Sequence, residues 1–194
     1  DRYREDGFPV TIVRPSHTYD ERSVPLGVHG NGGSWQVVKR IMDGKPVIIH
    51  GDGTSLWAIT HNSDFAKGYA EAIGQAYHIT SDESLSWNRI YGAVADALGV
   101  KLKPYYVASQ TLAAMSSYDL IGCLIGDKAN SVVFDNSKIK SLVPGFRTAI
   151  SAEDGIRMTV RNILAHPELQ NEDQEFDIWC DNVIDRLEKA KKDL

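Results

Sequence analysis

The chain has 194 residues, of which 42% are hydrophobic and 24% are charged, and its formal net charge is −5 at pH 7. This composition supplies enough apolar side chains for the core of one large domain or of a domain with an added lobe. No window approaches the roughly 18 uninterrupted apolar residues of a membrane-spanning helix. The acidic balance disfavours a nucleic acid as the main partner, because such binding usually needs a basic surface.

The two cysteines are too few for a disulfide framework, so we expect both to be reduced. We recognise no signal peptide and expect a cytoplasmic protein. The first residues, "DRYREDG", are typical of the end of a helix that stops at Gly7. We therefore expect the sequence to be a fragment of a longer protein.

Apolar and β-branched runs alternate with amphipathic or capped runs along the chain, which predicts an α/β fold. The predicted strands are "PVTIVRP" (9–15, buried on both faces of a parallel sheet), "KPVIIHG", "LWAITHN", "QAYHITS", "KPYYV" and "SVVFD". Residues 16–33 predict a long loop. The predicted helices are 35–42, one after a Ser63/Asp64 cap, 87–98 with Gly99 as its C-cap, about 109–124, one from the capping box "SAED" through His166, and one after Asn171.

Gly27, Gly30 and Gly33 have the GxxGxxG spacing of a dinucleotide-binding turn, and a helical pattern follows them. Such a turn needs a buried strand directly before its first glycine, so that the following helix points its N-terminus at the pyrophosphate. Charged residues and Pro25 precede Gly27 instead. We therefore favour a mobile loop on the substrate side, with Ser34 capping the next helix, over a cofactor-binding turn.

An ordered set of motifs resembles the extended short-chain dehydrogenase/reductase family of NAD-dependent epimerases and dehydratases. The motifs are "VTIVRPSHTYD", "GDGTSLWAITHNSDFAKG", "AYHITSDESLSWNRIYGAVADALG" and "GDKANSVVFDNSKIK". The resemblance implies the C-terminal part of a Rossmann-type fold, whose final sheet strands interleave with a mixed α/β substrate-binding lobe. It places 1–19 and 60–83 in the Rossmann sheet region, and 20–59 and 84–194 mostly in the substrate-binding lobe.

For the full-length protein the resemblance implies NAD or NADP as cofactor, a small-molecule substrate such as a sugar nucleotide, and a homodimer. Catalysis in the family rests on a Tyr-x-x-x-Lys pair, in which lysine lowers the pKa of the tyrosine that acts as acid and base. None of the eight tyrosines here is followed by Lys at the fourth position. The resemblance places that pair and the true cofactor loop upstream of Asp1, so we expect this chain alone to be inactive and to bind no NAD.

The site residues that the resemblance assigns within this chain are cofactor-side and substrate-side residues, not the catalytic pair. Pro15 and Ser16 fall on the cofactor side of the cleft, and His17 and Tyr19 follow on the substrate side. His17 stands where many members of the family have an Asn that contacts the substrate. The alternative interpretation is that His17 is a loop histidine with a hydrogen bond inside the protein. The resemblance also places Ile48 and His50 on the substrate side, in a strand that meets the substrate's base. For Ile48, plain core packing is the alternative.

Two positions depart from the family. Trp57 and Leu124 stand where sugar-nucleotide members usually carry arginines that hold the substrate's phosphates. Neither side chain replaces the bidentate guanidinium. We therefore expect a substrate other than a standard UDP-sugar, or one bound by other means. We assign Trp57 to substrate binding, by stacking on a sugar or nicotinamide-side ring, with a core tryptophan as the alternative.

The histidines show no i, i+4 pair and no neighbouring cysteine, so we expect no metal site. The leading function is the substrate-binding portion of an NAD(P)-dependent epimerase, dehydratase or reductase. The alternative is a non-enzymatic relative, because one branch of the family that is similar in the "GDKA…FDNSKIK" region includes chloroplast proteins associated with RNA. The net charge of −5 disfavours this alternative.

Overall fold

The computed structural model describes residues 2–8, 10–72 and 74–193. Its α-helices are α1 (Arg2–Glu5), α2 (Trp35–Met42), α3 (Asn62–Glu71), α4 (Trp87–Leu98), α5 (Ser109–Ala114), α6 (Ser137–Leu142), α7 (Ala152–Ala165) and α8 (Gln174–Lys192). A π-helix spans Ile121–Lys128 and a 3₁₀ helix spans Pro167–Leu169. The strands are β1 (Ile12–Arg14), β2 (His17–Tyr19), β3 (Val47–His50), β4 (Leu56–Trp57), β5 (Ile59–His61), β6 (Ala76–His78), β7 (Leu85–Ser86) and β8 (Pro104–Val107).

The described strands form four separate pairs. β1 pairs with β6, β2 with β5 and β3 with β8, all in parallel, whereas β4 and β7 are antiparallel. Helices lie in the chain between the parallel partners, as the crossover connection of parallel strands requires. The predicted α/β class is therefore confirmed.

Several predicted elements match the structure closely. α1 ends before Gly7, whose φ is +76°, and α4 ends at Gly99, whose φ is +69°. Both glycines adopt the left-handed conformation that commonly terminates helices. Ser151 caps α7 as predicted, because its hydroxyl accepts a hydrogen bond from the backbone N–H of Asp154 at 3.1 Å.

Other predicted elements are wrong in extent. The predicted strand "LWAITHN" is divided at Ala58 into β4 and β5, which pair with different partners. The predicted helix 109–124 ends at Ala114, and only its last residues, from Ile121 onward, belong to the π-helix. "SVVFD" forms no strand, because the segment bonds to β4 through isolated contacts, such as the Val132 N–H to the Leu56 carbonyl at 2.9 Å.

The strand predicted from Pro9 is shorter and more exposed than expected. Pro9 lies outside the described residues, and β1 begins at Ile12. The prediction that both of its faces are buried is wrong, because Ile12 is 44% exposed and Arg14 is exposed. β6 is its partner on one side, and among the described strands none pairs with its other edge.

A large hydrophobic core joins α2, α4, α7, α8 and β3, with Trp87, Tyr91 and Phe176 among its largest buried side chains. A smaller core lies beside β6 and contains Tyr77, Ile79, Ile139 and Phe146. The cleft described below opens at the end of the β1–β6 pair.

Residues 16–33, which the sequence predicts as a long loop, form a packed segment. Its start forms β2, and Val24, Leu26 and Val28 are at most 2% exposed. The backbone N–H of Val28 donates to the Tyr91 hydroxyl at 3.1 Å, and that of Gly32 donates to the Asp173 carboxylate at 3.2 Å. Apolar side chains and these anchors hold the segment against the core.

Candidate functional site

A cleft of about 520 Å³ opens at the carboxyl end of the β1–β6 pair. Pro15 follows the last residue of β1, and Phe134 lies with its ring 5.2 Å from the ring of His78, the last residue of β6. This edge of a parallel sheet is where α/β proteins commonly bind ligands. The lining residues are Pro15, Ser16, His17, Thr18, Trp57, Asp127, Lys128, Val132 and Phe134.

Four of the residues predicted from the sequence come together in this cleft: Pro15, Ser16, His17 and Trp57. Tyr19 lines a neighbouring cavity of about 320 Å³, which shares His17 and Thr18 with the cleft. Ile48 and His50 line neither cavity, because β3 is buried along its whole length.

His17 lies between the two cavities at the start of β2. Burial lowers its pKa to about 4, and the positive charge of Lys128 and the neighbouring His29 contribute in the same direction. The imidazole is therefore neutral at pH 7. A neutral imidazole offers one donor and one acceptor, so His17 can bind a ligand hydroxyl in either sense.

Trp57 forms the apolar part of the wall. It is 5% exposed, and its ring stacks on that of Trp87 at a centroid distance of 5.9 Å. Its indole Nε1 has no hydrogen-bond partner among the described residues, and neither has Ser16 Oγ or Thr18 Oγ1. Since buried polar atoms are normally paired, this wall holds unused hydrogen-bonding capacity beside a cavity.

His50 lies behind the wall and supports it. Its Nε2 donates to the backbone carbonyl of Lys128 at 3.2 Å, and its ring packs edge-on against Trp87. Burial lowers the pKa of His50, which keeps the imidazole neutral. Gly27 lies directly beneath this ring.

Packing holds Tyr19 in place, because its hydroxyl makes no hydrogen bond with the described residues. Its ring meets that of His61 edge-on at 5.4 Å, and its hydroxyl packs against Gly155, where a side chain would collide with it. Burial raises the pKa of Tyr19, so that its hydroxyl stays protonated at neutral pH.

Reasoning from the sequence missed five of the nine lining residues, namely Thr18, Asp127, Lys128, Val132 and Phe134. The resemblance to the family includes the dipeptide "GD" at 126–127, and Leu124 stands where the family usually has an arginine. The Leu124 side chain is fully buried. The local signal that could have identified Lys128 is its place directly after this dipeptide. Its position in the cleft depends on the π-helix, which the helical pattern did not predict.

No group of three or more His, Cys, Asp or Glu side chains among the described residues is arranged to hold a metal ion. No helix in the described part of the chain combines the length and the apolar character needed to cross a bilayer.

No family model matches the chain, and no curated protein matches it. Solved structures do match. A UDP-glucose 4-epimerase from Thermotoga maritima with UDP-glucose is 21% identical with a TM-score of 0.62, and the match covers 84% of this chain and 48% of the epimerase. An epimerase from Methanothermobacter thermautotrophicus is 17% identical with a TM-score of 0.65, covering 87% of this chain and 47% of the other.

A dTDP-glucose 4,6-dehydratase from Streptomyces venezuelae with NAD bound is 24% identical with a TM-score of 0.61, covering 86% of this chain and 47% of the dehydratase. The chain thus spans about half the length of the structures that it matches. At these identities the matches establish the fold. The chain has the fold of part of an extended short-chain dehydrogenase/reductase, the class to which these NAD-dependent epimerases and dehydratases belong.

Proposed function

We propose that the chain supplies the substrate-binding cleft of an NAD(P)-dependent epimerase, dehydratase or reductase, which acts on a sugar nucleotide or a related hydroxylated substrate. The observation that carries this proposal is the cleft at the carboxyl end of β1 and β6, in which Pro15, Ser16, His17 and Trp57 meet. The shared fold supports it, because the matched epimerases and dehydratases include complexes with UDP-glucose and with NAD.

Each residue has a distinct role in this proposal. Pro15 and Ser16 face the cofactor, whereas His17 and Trp57 face the substrate. Tyr19 borders the neighbouring cavity on the substrate side. For His50, and for Ile48 in the same buried strand, the structure favours support of the wall over contact with a ligand.

We also propose how the chain is divided between the Rossmann sheet and the substrate-binding lobe. Residues 1–19 and 60–83 complete a Rossmann sheet, and 20–59 and 84–194 form most of the substrate-binding lobe. The smaller core beside β6 crosses this division, because Tyr77 and Ile79 belong to the sheet region whereas Ile139 and Phe146 belong to the substrate-binding lobe. We further propose a cytoplasmic enzyme that assembles as a homodimer.

By itself the chain should turn over no substrate, because no tyrosine in it is followed by Lys at the fourth position. Ligand binding, rather than catalysis, therefore tests the proposal. We expect at least one of UDP-glucose, glucose 1-phosphate and glucuronate to shift the Trp57 indole signal in the NMR spectrum of the ¹⁵N-labelled chain, and NAD at micromolar concentration to shift no signal. Trp35 is the matched control, because its Nε1 is also buried and unpartnered but it does not line the cleft.

A third titration addresses the alternative function. Single-stranded RNA at low salt should leave the spectrum unchanged, because binding to a polyanion requires a basic surface. Shifts produced by RNA and abolished by salt would favour the non-enzymatic alternative. A Trp57 signal that none of these sugar ligands moves, or tight binding of NAD, would contradict the proposed role of the chain.

A further inference from the structure

Residues Gly30 to Gly33 form a tight turn at the surface, just before α2. The N–H of Gly33 donates to the carbonyl of Gly30 at 3.3 Å, so Asn31 and Gly32 are the two central residues of the turn. Both central residues are exposed. Among the described residues, none forms a hydrogen bond with the Asn31 side chain. Its amide is therefore free to turn toward the backbone that follows it.

The sequence of this turn favours a reaction between that amide and the backbone. When glycine follows asparagine, the next backbone nitrogen can attack the side-chain carbonyl carbon with little steric hindrance, because glycine has no Cβ. Asn31 is the one asparagine of the sequence that is followed by glycine. The turn thus presents the most reactive asparagine of the chain to solvent.

A carboxylate restrains the attacking nitrogen in the folded chain. The N–H of Gly32 donates to Asp173 Oδ2 at 3.2 Å. The nitrogen must lose its proton in order to attack, and a carboxylate nearby disfavours that loss because two negative charges would then lie close together. Asp173 therefore slows the reaction, while Asn31 itself stays exposed.

Asp173 also connects the turn to two helices. Its Oδ1 accepts the N–H of Phe176 at 2.9 Å and so caps the first turn of α8, and its own N–H donates to Gln36 Oε1 of α2 at 3.0 Å. The turn, α2 and the start of α8 meet at this one residue. A change of charge or of backbone length in the turn acts directly on this junction.

We propose that Asn31 is a site of spontaneous deamidation and that the reaction releases the turn from Asp173. The Gly32 nitrogen bonds to Cγ of Asn31 as the Cγ–Nδ2 bond breaks, and the side-chain NH₂ leaves as ammonia with the proton of the Gly32 N–H. Solvent water opens the resulting succinimide at either carbonyl, giving its OH to the carbon and its H to the nitrogen. Aspartate or isoaspartate then stands at position 31. One water is consumed, one ammonia is released, and nothing is oxidised or reduced.

Either product weakens the contact between the turn and Asp173. Both products add a negative charge beside that carboxylate, and like charges at short range repel. Isoaspartate also adds one methylene group to the main chain, which changes the spacing between Gly30 and Gly33. The inner part of the segment should stay in place, because Val28 is buried and its N–H donates to the Tyr91 hydroxyl. The effect is therefore local to the turn and the start of α8.

The test incubates the purified chain in warm, mildly alkaline buffer. Peptide mass spectrometry follows the replacement of NH₂ by OH at each asparagine, and isoaspartyl methyltransferase with a labelled methyl donor detects isoaspartate. We expect position 31 to be modified first and to contain both products. Asn130 is the internal control, because it is exposed and followed by Ser131, but its Nδ2 donates to the carbonyl of Ile125.

Two variants separate the role of Gly32 from that of Asp173. Gly32→Ala should slow the modification of Asn31 severalfold, because the added methyl group hinders the attacking nitrogen. The fold accepts this change, since the φ of Gly32 is outside the left-handed region and the new Cβ would lie 3.4 Å from Asp173 Cβ. Asp173→Ser should accelerate the modification up to about tenfold, because the Gly32 N–H loses a charged acceptor while serine can still cap α8.

Hydrogen exchange measures the release of the turn. The amides of Gly32 and Gly33 should exchange faster in the modified chain, because both lose their acceptors, and the amide of Val28 should exchange as before. Asn31→Asp adds the charge without lengthening the backbone. We expect it to accelerate the exchange of the Gly32 amide by less than the mixture of products does.

The inference is wrong if Asn31 stays intact in the folded chain while the guanidinium-unfolded chain is modified there, or if Asn130 is modified faster than Asn31. An unchanged rate in Asp173→Ser would contradict the restraint by Asp173. Unchanged exchange of the Gly32 amide in the modified chain would contradict the release of the turn. All of these measurements are made without ligand, so their outcome is independent of the proposed function.

Discussion

Gly27 and Gly30 are required by the close approach of other side chains. A Cβ on Gly27 would lie 2.7 Å from the His50 ring and 3.2 Å from Trp87, and one on Gly30 would lie 2.7 Å from Phe176 Cβ. Gly33 differs, because its φ of +91° is itself a reason for glycine. The packing around Gly27 and Gly30 thus gives each of them a reason to be glycine that does not involve a phosphate.

Replacement of Gly27 by Ala should destabilise the protein by about 1–3 kcal/mol, because the added methyl group overpacks the core against His50. The measurement is urea unfolding. Gly92→Ala is the matched control, since it lies within α4 with open space around its Cβ position. The control should be stabilising by up to about 1 kcal/mol, because alanine is favoured over glycine inside a helix. Equal effects of the two substitutions would contradict the packing role of Gly27.

At the scale of elements, two serines that both precede a helix serve different purposes. Ser151 caps α7 with its hydroxyl. Ser34 occupies the N-cap position of α2 but makes no side-chain cap, which corrects the predicted capping role. Its Oγ instead accepts a hydrogen bond from the backbone N–H of Val24 at 2.9 Å and lies 2.9 Å from Ser23 Oγ. Ser34 therefore stabilises the packed segment before α2.

Ser34→Ala should accelerate hydrogen exchange at the Val24 amide, because this buried N–H loses its acceptor. The amides of Val37 and Val38 should be unaffected, because they donate to the backbone carbonyl of Ser34. Ser151→Ala serves for comparison, since it should release the amide of Asp154 and fray the first turn of α7. Fraying of α2 in Ser34→Ala, with Val24 unchanged, would show that Ser34 is a cap after all.

Local patterns in the sequence predicted the elements that local interactions determine. α4, α7 and α8 have amphipathic faces and recognisable caps, so their positions were accessible. β2 was missed, because a three-residue strand gains its identity from pairing with β5, a tertiary contact. The packing of loop 16–33 was missed for a similar reason, since its few apolar side chains are buried by distant helices.

The candidate site shows the same limit. Pro15, Ser16, His17 and Trp57 were found through their places in family motifs, and the structure brings them to one cleft. Phe134 carries no local signal of its own, and Lys128 is marked only by the dipeptide before it. The approach of both residues to the cleft depends on the π-helix and on the extended segment after it. A wall made of separate stretches is a property of the tertiary structure.

At the scale of the whole molecule, a charged cluster connects the C-terminal helix to the rest of the fold. Arg40 of α2 has a side chain that is 1% exposed, and it reaches Asp177 at 2.6 Å and Asp181 at 2.7 Å on α8. It also donates to the carbonyl of Pro46 at 2.9 Å. Lys45 joins the same two carboxylates at 2.7 and 3.2 Å. This cluster fixes α8 against the helix that follows the glycine-containing loop.

Arg40→Met should lower the free energy of unfolding by about 2–4 kcal/mol, because it leaves two backbone carbonyls and two carboxylates short of a partner. This is somewhat below the value for a fully buried pair, since both carboxylates are partly exposed. Arg22→Met is the control, because Arg22 is 76% exposed and a solvent-exposed ion pair such as the one with Asp20 contributes little to stability. Urea unfolding measures both variants. A loss for Arg40→Met as small as that of the control would show that α8 is held by apolar packing alone.

The backbone carbonyl of Lys128 accepts hydrogen bonds from His50 Nε2, Ser55 Oγ and Trp87 Nε1. This arrangement affects how the ligand preference of such a protein can change. These donors bind the main chain at position 128 and make no demand on the side chain there. Substitutions at this position can therefore alter the charge of the cleft while its walls keep their shape. A protein built in this way can acquire a cationic, neutral or anionic ligand preference through single substitutions at one position, without first having to repair its fold.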